Sequence, residues 1–247
     1  MSRSFKSAAA LGAALLVGVV ALVPEPAPAA TIDVCPGVPS TSVSGGLPRA
    51  RERLATAQEL RVLAIGSSTT SGVGAGGGES YPVATATSLR RLLPRRHIEL
   101  IEAGSSGERA PSAAGRIEER MRARDVDLVI WQVGTNDFAF GGNLEALRGA
   151  LNRGIRAAHA AGADILLVDP QHYSSADPSH FERFVATIAD TGRRHGVAVI
   201  ARYHWMKQVA RRTGAPSLLA ADRFHNNALG HQCLGRGVAH AIVARAN

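Results

Sequence analysis

Cysteine is almost missing from this chain: the 247 residues include two, Cys35 and Cys233. Neither stands in a Cys-x-x-Cys or Cys/His spacing, so a zinc module is excluded and no metal is expected. Aromatic residues are also scarce, at 4%. That is too few for the stacking platform on which a single-stranded nucleic acid is held, and it argues against a long hydrophobic acyl groove. Acidic residues are in deficit, 20 against 28 lysines and arginines, for a net charge of +8. The excess is scattered over Arg90-Arg91, Arg95-Arg96, Arg193-Arg194 and Arg211-Arg212 rather than gathered into one stripe. This reads as a solvated basic surface suited to anionic polymers, and no nucleic-acid partner is expected. There is no internal repeat.

Long apolar runs are confined to Ala8–Val23, behind the basic Arg3 and Lys6 and ahead of Ala27-Pro28-Ala29. A basic start, an apolar stretch and a small-x-small site form a cleavable signal peptide over residues 1–30. The alternative is an uncleaved anchor. The expected location is therefore secreted or periplasmic, with no stable membrane insertion after cleavage. In that oxidising compartment Cys35 and Cys233 are expected to pair and to staple an N-terminal extension, residues 31–58, to the last helix. Residues 59–247 fit one domain.

What the chain does have is alternation. Short apolar runs at Val62–Ile65, Ile98–Ala103, Val126–Val133, Ile165–Asp169 and Val197–Ile200 are separated by helical patterns at Pro82–Leu93, Ala113–Ala123, Leu144–Ala161 and Phe181–His195, and Ala228–Ala246 closes the chain. Continuous apolar strands alternating with helices predict a five-stranded parallel sheet covered on both faces, a three-layer α/β/α sandwich. Every loop that follows a strand then emerges on one sheet edge, where open α/β folds place ligands.

That edge gathers the chemistry. Ser68 stands just past the first strand in Gly66-Ser-Ser-Thr-Thr70 and reads as a nucleophile. Asp222 and His225 lie three apart before the closing helix, an acid beside the base it would orient. An N-capping Asp beside a surface His is the plain alternative. Asn136, in Gly134-Thr-Asn-Asp137, offers an amide at the rim, and the Gly104–Gly107 turn offers backbone N–H groups, as an oxyanion hole requires. Phe138, Gln171, Tyr173 and the glycine loop from Gly72 are placed to border substrate.

Ser68, the glycine turn, Asn136 and Asp222 with His225 recur in this order in the SGNH (GDSL-type) hydrolases, and the chain resembles that family from Arg61 to its end. The resemblance implies a flavodoxin-like fold and a serine esterase or lipase. Ser68, Asp222 and His225 would be its triad, and the Ser68 and Gly107 N–H groups with the Asn136 amide its oxyanion hole. Gly104 is the alternative to Gly107. No cofactor is implied. One position departs: Ser67 stands where the family has Asp, which puts the geometry of the nucleophile turn in question. A small ester or acylated polysaccharide is the expected substrate, with short acyl, chiefly acetyl, groups. The rival readings are a lipase or thioesterase, a non-catalytic carbohydrate-binding protein on the same fold, and a dinucleotide site. The last rests on Gly72-Val-Gly74-Ala-Gly-Gly77 with Glu102 as the ribose acid, but those glycines start too far past the strand.

Overall fold

A computed structural model describes Met1 and residues 35–246 apart from 57–58, 124, 174–175 and 215–216. Beyond Met1, the expected signal peptide lies outside the described residues.

Each apolar run forms a strand. After β1 (Thr41–Val43) and α1 (Pro48–Thr56) come β2 (Glu59–Gly66), α2 (Tyr81–Leu92), β3 (His97–Gly104), α3 (Ala110–Met121) and β4 (Leu128–Gln132). The chain continues through α4 (Thr135–Ala139), α5 (Leu144–Ala160), β5 (Asp164–Val168), α6 (Pro178–His195), β6 (Ala198–Ile200), α7 (Arg202–Thr213) and α8 (Ala228–Ala246). The sheet order is β1-β6-β5-β4-β2-β3. The five expected strands are mutually parallel, and a sixth, β1, adds antiparallel to β6. The short β1 thus extends the expected five-stranded parallel sheet to six strands. β1 is three residues of Thr-Ser-Val in a proline- and glycine-rich stretch, with no period to read. Five-residue α4 and polar, arginine-rich α7 were likewise not anticipated.

Strand period two divides the core. Val62, Ile130 and Val168 face a layer built from α1, α2, α7 and α8, while Leu63, Ile65, Trp131 and Leu167 face α3 and α5. Helix α6 gives Phe181 and Val185 to the first cluster and Phe184 and Ile188 to the second. The α2–α8 contact needs Gly235: a Cβ there would lie 2.6 Å from the Ala84 Cβ.

The stretch read as an extension is fastened at two places. Asp164 accepts the Ala50 N–H at the start of α1 (2.8 Å), and Asp127 accepts the Arg61 N–H and the guanidinium Nε atoms of Arg49 and Arg53. Cys35 is disulfide-bonded to Cys233 on α8, with the Cα atoms 5.5 Å apart. Among the described residues no helix is long and apolar enough to cross a membrane.

The register lets the parallel strands end together: Gly66 lies opposite Gly104, Ile65 opposite Trp131, and Gln132 opposite Val168. Chain order reverses at β2, the strand that carries Ser68 at its exit. This is the switch point at which such sheets open a crevice.

Candidate active site

Past Gly66 the backbone coils into a tight turn, with Thr70 and Ser71 N–H donating to the Ser67 carbonyl and Val73 N–H to that of Ser68. The turn is held from below by one side chain. Gln132 Oε1, at the end of β4, accepts the Ser67 N–H (3.0 Å), the Ser67 hydroxyl (3.0 Å) and the Thr70 hydroxyl (3.3 Å). The departure at Ser67 therefore does not leave the turn unsupported: the short hydroxyl reaches the neighbouring strand's amide. Gly104 serves the same turn by absence, since a Cβ there would meet the Ser71 nitrogen at 2.3 Å.

His225 Nε2 is 3.0 Å from Ser68 Oγ, and His225 Nδ1 is 2.6 Å from Asp222 Oδ2. The other Asp222 oxygen accepts the N–H groups of Phe224 (2.9 Å) and His225 (3.0 Å). One carboxylate thus closes its own turn and orients the ring. It does not cap α8, where Asn227 accepts the Gly230 N–H. Burial works against the Asp222 charge, but the His225 ring and the two N–H groups outweigh it and hold the carboxyl below its ordinary range. The turn is closed by the Leu219–Asn226 bridge and forces Arg223 to a φ of 59°, a left-handed conformation uncommon outside glycine.

Asn136 is buried in the first turn of α4, and its Nδ2 donates to the Glu108 carbonyl (2.9 Å). One amide hydrogen goes there; a primary amide carries a second. Asp137 accepts the Ala110 N–H with both oxygens (3.0 and 3.2 Å), and burial raises its pKa against those bonds. The loop bearing Gly107 is therefore tied to α4 at two consecutive residues. Gly107 has a φ of +79° with open space on its Cβ side, whereas Gly104 is packed under the nucleophile turn. Ser106 Oγ lies 3.3 Å from Ser71 Oγ, which brings the two rim turns together. A groove of about 630 Å³ runs along this side, lined by Ser105, Ser106, Gly107, Glu108, Arg109 and Asn143.

The expected substrate-lining residues separate. Gln171 is not at the surface: it is 1% exposed, and its amide accepts from Thr135 (2.8 Å) and donates to the Phe224 carbonyl (3.4 Å). It forms a buried link between Thr135 and the Phe224 segment. Phe138, half-buried, packs among Phe181, Phe184 and His180. Tyr173 lies edge-on to Phe224 and, with His172, Met206 and Leu218, lines a cavity of about 240 Å³ behind the Asp222–His225 turn. Gly72, at φ +84°, lies in the nucleophile turn, where a Cβ would meet that of Ser80 at 3.1 Å.

Sequence reading missed one buried side chain, Arg202. Arg202 lies two residues past the end of β6, as Ser68 does past β2, and that placement was the available signal. His231 is neutral in the fold. Burial lowers its pKa, Nδ1 accepts the Tyr81 N–H (3.1 Å), and Nε2 donates to the Val73 carbonyl (3.1 Å). Glu102, the ribose acid of the dinucleotide reading, instead accepts the hydroxyl of Ser80, the N-cap of α2. Among the described residues no group of three or more His, Cys, Asp or Glu is arranged to hold a metal ion.

Among solved structures, similar folds include an acetylxylan esterase, Axe2, from Geobacillus stearothermophilus (TM-score 0.65, 21% identity, covering 74% of this chain and 94% of that one). A two-domain esterase, CEX, active on acetylated mannans, is also similar (0.67, 18%, covering 84% and 56%). So is a lipase/acylhydrolase from Enterococcus faecalis (0.64, 20%, covering 75% and 96%). At these identities the likeness is one of fold. No curated protein matches the sequence. The model of the non-GDSL lipase-like family matches residues 35–247, and the family's name suits a first block that reads Gly-Ser-Ser in place of Gly-Asp-Ser. With a match over nearly all its described length, the chain belongs to the non-GDSL lipase-like family.

Proposed function

We propose that the protein is a secreted serine esterase that removes short acyl groups, chiefly acetyl, from polysaccharide. The observation that carries this reading is the unbroken chain Ser68–His225–Asp222, at 3.0 and 2.6 Å. In the proposed reaction His225 Nε2 takes the Ser68 proton as Oγ attacks the ester carbonyl. Asp222 keeps Nδ1 protonated and stabilises the imidazolium. The oxyanion is received by the N–H groups of Ser68 and Gly107 and by the Asn136 amide. His225 returns its proton to the departing alcohol, and water, activated by the same ring, releases the acyl group.

The alcohol is assigned to carbohydrate because the groove beside Gly107 is wide and lined by serine hydroxyls, an asparagine and an arginine. Two of the similar folds belong to enzymes named for acetylated xylan and mannan. Scarce aromatics support the short acyl group, and the disulfide suits export.

The test is a p-nitrophenyl ester series, acetate to palmitate, on wild type, Ser68→Ala and Asn136→Ala, with acetate release from acetylated xylan alongside. Turnover should peak at acetate or butyrate and vanish in Ser68→Ala. Asn136→Ala should lose about 10²–10³ in kcat, with only a small fall in melting temperature from the lost bond to the Glu108 carbonyl. Turnover that survives Ser68→Ala would refute the triad. Glycan binding with no ester turnover would make the protein a carbohydrate-binding member of the fold, and a peak at long chains would make it a lipase.

A further inference from the structure

We infer that Arg202 is the positioning residue that holds the nucleophile, the oxyanion donor and the base in mutual register; this rests on the serine-esterase reading. Arg202 opens α7 immediately after β6, and its side chain runs under the rim, fully buried. Its Nε donates to the Asp169 carbonyl (2.9 Å) and one terminal nitrogen to Gln171 Oε1 (2.6 Å). Longer contacts reach Thr69 Oγ1 (3.4 Å) and Thr135 Oγ1 (3.5 Å).

The partners are the immediate chain neighbours of the reacting groups. Thr69 follows Ser68, and Thr135 precedes Asn136. Gln171 passes the connection on, since its Nε2 donates to the carbonyl of Phe224 (3.4 Å), the residue before His225. Three segments that meet nowhere else in sequence, spread from Ser68 to His225, are therefore referenced to one planar group. Guanidinium suits the task because its donors have fixed mutual angles, whereas an ammonium is a point charge on a flexible stem.

Stability does not account for the residue. A buried cation is costly even when hydrogen-bonded, and an apolar side chain of similar volume is often as stable or more so. The Nε bond to Asp169 goes to the main-chain carbonyl, while the Asp169 carboxylate accepts the Tyr203 N–H (2.8 Å). The arrangement spends its donors on geometry. A displacement of one loop by a fraction of an ångström would lengthen the 3.0 Å approach of His225 to Ser68, and misplacement on the ångström scale costs about 10²-fold in rate.

The experiment measures kcat and KM on p-nitrophenyl acetate per active site, with sites counted by titration of Ser68 with an alkyl fluorophosphonate. The variants are Arg202→Lys, which keeps the charge and loses the fork, Thr69→Val, and the two combined. Arg202→Lys should lower kcat per titrated site by about tenfold or more with KM unchanged. Thr69→Val should lower it severalfold in the wild-type background but add nothing to Arg202→Lys, the non-additivity of residues that act through one another. Should Arg202→Lys fail to fold, Thr69→Val/Thr135→Val, which retains the arginine, carries the test in the same way. Unchanged kcat per titrated site, with only fewer sites or a lower melting temperature, would show that the arginine serves the fold alone and would overturn the inference. Wild type that the phosphonate does not label would instead overturn the esterase reading, and this inference with it.

Discussion

Asp169 sits beside the buried arginine without any exposure of its own. Burial pushes its carboxyl from 3.8 up to about 7, against the Tyr203 N–H and the Arg202 charge, which pull it down. The folded protein thus keeps a proton over a range in which the unfolded chain has released it. The carboxyl's contribution to stability therefore falls as pH rises from about 4 to about 7 and is level above that. Asp169→Asn keeps an oxygen for the Tyr203 N–H and cannot titrate. Wild type should lose more melting temperature than Asp169→Asn between about pH 5 and pH 8; parallel profiles would mean that Asp169 is ionised in the fold. This residue and Arg202 were not legible in the sequence as members of the site. Each is a lone polar side chain whose meaning comes from what tertiary structure sets beside it. Ser68, Asn136, Asp222 and His225 were legible because each stands in a short block with a chemical reason for its spacing, and the structure brings Ser68, His225 and Asp222 into one hydrogen-bonded chain.

Among the elements, the loop Gly72–Gly78 shows how a composition signal was half read. Its glycines suggest a flexible strip that leaves room for substrate, but Gly74 is packed. At φ +89°, a Cβ there would lie 2.2 Å from the Asn226 carbonyl oxygen and 3.1 Å from the His225 Cβ. The glycine lets the loop after Ser68 lie against the segment that carries His225. Gly74→Ala should destabilise by more than about 1 kcal/mol and lower kcat together with the melting temperature, because the clash falls on the His225 segment. Gly77→Ala, with nothing within 4 Å of its Cβ, should change neither. Thermal melts and ester turnover on the pair decide it. The central strands β4, β5 and β6 were legible because both their faces are buried and their runs are mostly apolar, whereas the edge strand β3 carries Glu99 and Glu102 and is largely half-buried. β1 and α7 were not: an edge strand of three residues needs no apolar run, and α7 buries Tyr203, Met206 and Val209 between arginines and a lysine.

Over the whole chain, the Cys35–Cys233 bond spans 198 residues and joins the start of the described fold to the helix that follows His225. Reducing it, or replacing both cysteines by serine, should lower the free energy of unfolding by up to about 4–5 kcal/mol in the loop-entropy account. Turnover per active site should be unaltered, since neither sulfur touches the site. Urea unfolding of the oxidised and double-serine forms measures the first, and ester kinetics the second. The bond also acts alongside β1. The segment Thr41–Val43 is made early in translation, yet among the described residues its only strand partner is β6, the last described strand to be made. Until β6 exists the segment has no edge to join, and until the segment returns β6 has an open one. The piece of the sheet synthesised first thus pairs with the piece synthesised last, and the N-terminal stretch lies as a latch along the sheet's edge, locked by sulfur.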